Sequence, residues 1–355
     1  MAIAPIQGVS TTLFTLPVTP VRAVTPALRT DVEAKAAEAQ QAVEPAPVEI
    51  HAKAVAEAVQ SAAPRQTALG PLFADLGQAL KVRGLPPQVL AAATRLMTQA
   101  APLGPDVDGA TIARTFLQSG LFLERNLAER PNASPAGRDL KADLLTLKQA
   151  LSNWLGGGDH APAARTAAAP PPPYRGGPTT AQAPASAALT ADASPAQAGH
   201  RLAEDVEGAL ARHELLQAAS LPPADPHAED AQTTRWMFEI PFTTPQGASV
   251  AQFEISRDDE GHVGREGERE PVYRARFSID LEPLGPMHAQ VALSGEHAGV
   301  TLWAERPASV EVLRLGRPLL AQALSDAALD AEVNVYAGAP PRAAAGPGRF
   351  MDQSA

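Results

Sequence analysis

Apolar residues recur along this chain with two different periods, and the stretches over which each period holds define the elements to expect. In "LGPLFADLGQALKVRGLPPQVLAAATRLM", Leu72, Phe73, Leu76 and Leu80 stand three and four residues apart, the repeat of one helix face. A second stripe, Val89, Leu90, Leu96 and Met97, follows the Gly-Leu-Pro-Pro stop. Ile112, Phe116 and Leu117 mark a further helix that ends near Gly120, where a bend is expected. Leu140, Leu144, Leu147, Leu151 and Trp154 mark the last one, closed by the glycines after Leu155. Together these stripes predict a small all-α bundle over residues 67–155.

Further on the period changes to two. "TRWMFEIPF" and "ASVAQFEISRD" read as strands joined by a Thr-Thr-Pro-Gln-Gly turn. "VYRARFSIDL" sets Tyr273, Ala275, Phe277, Ile279 and Leu281 on one face against Arg274, Arg276, Ser278 and Asp280 on the other, so that one face should be buried and the other wet. A Leu281-x-Pro283-Leu284-Gly285 corner leads to "HAQVALSG" and "GVTLWAE", a hairpin. "PASVEVLRLGRPLLAQALSDAAL" is a helix that Gly316 and Pro318 should kink or break, since proline removes a backbone hydrogen bond, and "DAEVNVYAG" is a closing strand. The order β–β–β–β–β–α–β predicts an α+β domain at 234–338, an antiparallel or mixed sheet with one packed helix. Trp303, Val310, Leu313, Leu319, Leu320 and Leu324 are expected in its core, because a single helix on a sheet must bury such a stripe to fold.

The remaining segments are poor in large apolar groups. The chain has 35 prolines in 355 residues and 4% aromatics, which leaves little to offset chain entropy outside the patterned regions. Residues 1–66 read as disordered, 156–233 as an Ala/Pro/Gly-rich linker with a helix candidate at 201–219, and 339–355 as a disordered tail. The run Pro170–Pro173 with Tyr174 reads as a polyproline spacer within that linker.

Charge and residue chemistry narrow the function classes. A net charge of −10 without a Lys/Arg-rich run argues against duplex nucleic acid. Lacking cysteine, the chain has no disulfide, thiolate nucleophile or cysteine metal site. No apolar run is long enough for membrane insertion, and "MAIAPIQGVSTTLFTLPVTPVRAV" lacks the basic and apolar regions of a secretory signal. Synthesis in the cytoplasm follows, compatible with export by a machine that reads an uncleaved N-terminus. The histidines (His51, His160, His200, His213, His227, His262, His288, His297) form no ligand pair at helical spacing and read as surface or loop residues. There is no nucleophile elbow and no phosphate loop, and the acidic run at 256–271 fails the register of a calcium loop and reads as solvated. No catalytic residue, cofactor or metal is expected.

The run from Phe277 to Tyr336 resembles the C-terminal domain of flagellar hook-length control proteins. The resemblance rests on "LEPLG" (Leu281–Gly285), "AQVAL" (Ala289–Leu293), "GVTLWAE" (Gly299–Glu305), "SVEVLRLGRPLLAQAL" (Ser309–Leu324) and "AEVNVY" (Ala331–Tyr336). Its motif positions are Leu281, Pro283, Leu284, Gly285, Val291, Leu293, Leu302, Leu313, Leu320, Leu324, Val333 and Val335. The family more often carries acidic residues between the proline and Leu-Gly, whereas here Pro283 meets Leu284 directly. The resemblance implies an exported molecular ruler whose C-terminal domain meets the switch protein of the flagellar type III export gate, turning export from rod and hook subunits to filament-type subunits. Hook and hook-cap subunits would be further partners. The chain would begin in the cytoplasm and leave through the flagellar channel. Extended at about 3.3 Å per residue, the part before the C-terminal domain would span roughly 700–800 Å. Two other classes compete: a cytoplasmic adaptor with two binding domains, and a hydrolase whose carboxylates are assembled from distant positions.

Overall fold

The computed structural model describes residues 47–104, 109–129, 139–156, 169–190, 192–223, 233–244, 247–258 and 271–341. The expectations for residues 1–46, for the acidic run at 259–270 and for the tail past 341 lie outside the described residues. Contacts divide the chain into Met1–Ile50 and His51–Ala355, and the sheet and the helical core belong to the second unit.

Helices and strands arise where the two periods place them. The helices are α1 (Pro47–Ala62), α2 (Leu69–Ala79), α3 (Pro87–Met97), α4 (Gly109–Leu117), α5 (Leu123–Glu129), α6 (Leu140–Leu155) and α7 (Pro195–Ser220). α6 starts at Asp139, whose side chain accepts the Ala142 N–H, and stops at Gly156 in the left-handed conformation. α7 opens with a capping box between Ser194 and Gln197 and Pro195 in its first turn. The sheet runs in the order β1 (Ala101–Pro102), β2 (Thr233–Thr244), β3 (Gly247–Asp258), β4 (Val272–Leu281), β5 (Gly285–Ser294), β6 (His297–Ala304) and β7 (Asp330–Ala337). Neighbours from β2 to β6 are antiparallel; β1 pairs parallel to β2, and β7 parallel to β6 after the crossover through α8 (Pro307–Asp326). The α+β class with a mixed sheet is thus the observed one.

Register makes the two sheet faces explicit. Phe238, Phe253, Phe277, Ala289, Leu302 and Val335 lie opposite one another across consecutive strands and share the apolar face. At the β2 end Ile112, Phe116, Leu103 and Leu121 cover it, with Phe116 4.8 Å from Phe238 between ring centroids. At the other end Ala298, Val300 and Val333 are buried while Glu332 and Tyr336, one residue out of phase, are exposed. That alternation places α8, which packs on β6 and β7, over the apolar face.

Four departures from the sequence reading have physical reasons. First, the face of β4 expected to be wet is largely covered: Ser278 is fully buried and Asp280 nearly so, although Arg274 stays exposed. Residues 169–190, read as linker, lie extended across that polar face. The Thr179 hydroxyl bonds Ser278 Oγ at 2.7 Å, Thr180 N–H donates to Gln252 at 2.9 Å, Gln182 donates to Glu239 at 2.6 Å, and Ala185 bridges to Ala248. Low hydrophobicity misleads here because main-chain, hydroxyl and amide hydrogen bonds hold most of the strap down, with Leu189 as its buried leucine.

Second, the helices are not a separate bundle. α7, longer than the candidate at 201–219, puts Ala198, Leu202, Val206 and Ala209 into a core with α2, α3 and α6, and that core also takes Ala248 and Val250 of β3 and Leu189 of the strap. Beyond it Leu216 and Ala219 pack on Met237 of β2. Residues 47–62, read as disordered, form α1, whose Ala62 packs with Ala211 and Leu215 of α7, Val59 and Ala63 lying against the same cluster.

Third, α8 runs unbroken through Pro318. Pro318 lies on the exposed side, where water can take the carbonyl that loses its partner. Fourth, α8 is wider in apolar residues than the two strands beneath it. Val310 is buried and Leu313, Leu320 and Leu324 are half-buried, but Leu319, expected in the core, is 76% exposed and Leu315 80%. Trp303 is half-buried on the opposite, polar face, 6.2 Å from the Tyr336 ring.

Candidate functional site

The corner between β4 and β5 is held by side-chain hydrogen bonds from the start of α8. Leu281 ends β4, the Glu282–Pro283 peptide is cis, and Gly285 opens β5 with φ +75°. The start of α8 clamps it. Arg306 donates to both Glu282 carboxylate oxygens (2.8 and 2.7 Å) and to the Pro283 carbonyl (2.8 Å), while Ser309 Oγ donates to the Leu284 carbonyl at 2.5 Å. The Arg306 hydrogen bond holds Glu282 below the usual carboxylate range and raises the guanidinium in turn. Bidentate guanidinium–carboxylate pairing fixes direction as well as distance, so the clamp sets where α8 leaves the sheet.

Gly285 is needed for two reasons. Its φ is one that L side chains rarely adopt, and a Cβ there would stand 2.3 Å from Arg306 Nε. Gly285→Ala should therefore cost about 1–2 kcal/mol in backbone strain alone and should loosen the clamp; urea denaturation of the purified chain checks this, with an unchanged midpoint as the contrary result.

Behind the corner runs a chain of hydrogen bonds: Thr179 to Ser278, Ser278 Oγ to His288 Nδ1 at 2.7 Å, and His288 Nε2 to Glu305 at 3.1 Å. Serine, histidine and glutamate in line suggest a nucleophile, yet Ser278 is sealed beneath Thr179 with no room for a substrate carbonyl. The chain ties the strap to β4, β5 and the β6–α8 turn. Nearby, Glu254 accepts from Arg276 at 2.6 Å and from Arg235.

Carboxylates with displaced pKa values occur elsewhere. Burial raises Asp205 to about 8, against the pull of Arg201 and with the push of Asp75 beside it, and burial raises Asp139 to about 6. Neither opens into a cleft. A groove of about 550 Å³ between α3 and α6, lined by Gln88, Arg95, Leu145, Gln149 and Asn153 among others, carries no Asp, Glu or His. Among the described residues no group of His, Asp and Glu is placed to hold a metal ion, and no helix is long and apolar enough to cross a membrane.

Residues 261–344 match the family model of the flagellar hook-length control protein FliK. No curated protein and no solved structure matches the chain. The match encloses the Phe277–Tyr336 run and takes in β4 to β7, the clamped corner and α8. The family is one of hook-length control proteins rather than of enzymes. Within the matched segment the motif positions are spread over the sheet and its helix. Gly285 and Val333 are buried, Leu281, Leu284, Val291, Leu293, Leu302, Leu313, Leu320, Leu324 and Val335 are half-buried, and Pro283 is exposed. They form a scaffold rather than one site. The residues that fix the corner, Glu282, Arg306 and Ser309, were not singled out by the sequence reading. Their signal was an acid beside Pro283 and a basic residue one position before the helix-opening Pro307. The histidine reading fails at His213 and His288, both buried.

His213, on α7, sits against Gly120 and beside Lys141 and Glu124. Burial, aided by the Lys141 charge and opposed by the Gly120 main chain and Glu124, lowers its pKa to about 4. A depressed folded pKa means that the unfolded chain binds this proton more tightly. The stability from neutral His213 is complete above the unfolded value near 6.5 and is lost as pH falls toward 4. The full window amounts to about 3 kcal/mol. Asp139 and Asp205 act in the opposite sense, since their raised values favour the folded state at low pH. The comparison is therefore His213→Leu against the parent, by urea denaturation between those limits. The parent should lose stability on acidification relative to the variant, and parallel pH profiles would contradict the assignment.

Proposed function

We propose that this chain controls flagellar hook length: an exported molecular ruler whose C-terminal domain, on contacting the export gate's switch protein, turns type III export from rod and hook subunits to filament-type subunits. The observation that carries the reading is the family match over 261–344, which falls on one continuous strand–corner–hairpin–helix–strand unit. The chemistry agrees: no cysteine restrains a chain that must be threaded, and no cofactor or catalytic step is called for. Hook and hook-cap subunits would be met in passage.

The test is a strain whose own copy is replaced by this chain truncated after residue 270. The truncated chain should still reach the culture supernatant, with overlong hooks that carry no filament. Normal hooks with filaments would sink the proposal.

One observation favours a second reading, a cytoplasmic adaptor. Residues beyond Ile50 build a single body in which α7 and the strap join helices to sheet, and that body must unfold to pass a narrow channel. Recovery of the full chain from the supernatant, and its absence there in an export-gate mutant, would exclude the adaptor.

A further inference from the structure

We propose that the outer edge of β7 is a docking strand for an extended segment of a partner protein, one that alternates apolar residues with lysine or arginine and joins the sheet through main-chain hydrogen bonds. The inference goes beyond hook-length control: it defines a partner by its chemistry and holds whichever protein supplies the segment.

Three observations converge on it. The sheet ends at β7, all eight residues of which pair with β6 on one side only, and among the described residues no strand pairs with the other side. Such an edge presents a row of free N–H and C=O groups, and another strand satisfies them. Two of the devices that blunt an edge are missing, since Asp330–Ala337 contains no proline and its register with β6 is free of bulges; its charges, Asp330 and Glu332, are of one sign.

The second observation is the seat of α8. It packs more on β7, the outermost strand, than on β6. α8 also leaves Val312, Leu315 and Leu319 exposed, apolar surface that a strand added to β7 would help to cover. Alternation then assigns the faces: on the α8 side the new strand continues the row of Val333 and Val335 and should be apolar, and on the other side it continues Glu332, Asn334 and Tyr336.

The third observation selects the charge. From Pro318 to Pro341 the chain has Asp326, Asp330 and Glu332 but no Lys or Arg. β6 and its flanking turns add Glu296 and Glu305 against two basic residues, His297, which meets Asp330, and Arg306, which is held by Glu282 at the corner. A second copy of β7 would bring acid to acid in a chain already at −10. A partner strand with a cation opposite Glu332 pairs favourably.

The test is hydrogen exchange on the full chain, free and with the synthetic peptide Lys-Val-Thr-Val-Lys-Val-Thr-Val, alongside a peptide with glutamate in place of lysine. In the free chain, β7 amides should exchange faster than those of the interior strand β5. The lysine peptide should slow exchange at β7 and the glutamate peptide should not. Glu332 is exposed, so Glu332→Lys should fold normally and reverse the preference, a swing of about tenfold in peptide affinity. The proposal is overturned if β7 is already protected in the free chain, if protection falls elsewhere or tracks a dimer, if neither peptide protects β7, or if Glu332→Lys leaves the preference unchanged.

Discussion

Arg212→Ala should destabilise the folded chain by about 3–5 kcal/mol, because it leaves a carboxylate buried without its cation. Arg212 is 1% exposed, on the helix α7 that packs against β2. Its Nε donates to Glu239 at 2.9 Å, and its Nη1 donates to Gln66 and to the Pro171 carbonyl, each at 2.8 Å. One side chain thus joins α7 to β2, to the strap and to the loop after α1. Glu239 keeps only Gln182 when the guanidinium goes. Urea denaturation followed by circular dichroism reads the loss. A shift below about 1 kcal/mol, the scale of an exposed pair, would show that the network is not closed to water. Glu239→Gln in the Arg212→Ala background should recover part of the loss, because a neutral amide is cheaper to leave unpaired.

Replacing residues 169–190 by a Gly/Ser segment of equal length should lower stability by about 3–6 kcal/mol: several net hydrogen bonds near 1 kcal/mol each vanish, and a proline-rich segment with little ordering entropy gives way to a flexible one. The side-chain bonds lost are those of Arg175 to the Leu221 and Thr233 carbonyls, Thr179 to Ser278 and Gln182 to Glu239; the main-chain bonds, such as Thr180 N–H to Gln252 and Leu189 N–H to Asp75, must then be made by a backbone that costs more entropy to order. Leu189 also leaves the helical core. Asp75 matters most: it accepts from Leu189 and from Arg201 Nε at 2.9 Å while facing Asp205, so opening the strap admits water to a buried acid pair. Thermal melting and limited proteolysis check this. An unchanged melt would return the segment to the role of a spacer.

These two expectations bear on how much the sequence could tell. The strands from Thr233 to Ala337 were legible because alternation is strict where one face is apolar, as in Tyr273 to Leu281, and the turns carry Pro and Gly where needed. The helix stripes of α2, α3 and α6 were legible for the same reason. The strap was not, because its contacts are made by threonine, glutamine and main-chain groups whose partners lie far away in the chain, such as Thr179 with Ser278. α7 shows the same limit. Its buried positions include Gly208, Arg212 and His213, residue types that read as polar surface until Glu239, Thr67 and Gly120 are brought against them. For the site, Pro283 and Gly285 announced the corner, while the Arg306–Glu282 clamp depends on the crossover returning α8 to it.

A ruler also makes a demand on length that a compact adaptor does not. Hook length, measured by electron microscopy in cells whose only copy carries flexible insertions between Val43 and Pro47, tests the proposed function most directly. The ruler predicts hooks that lengthen in proportion to the residues inserted, by no more than about 3.3–3.6 Å per residue; hooks of constant length across the insertion series would contradict it.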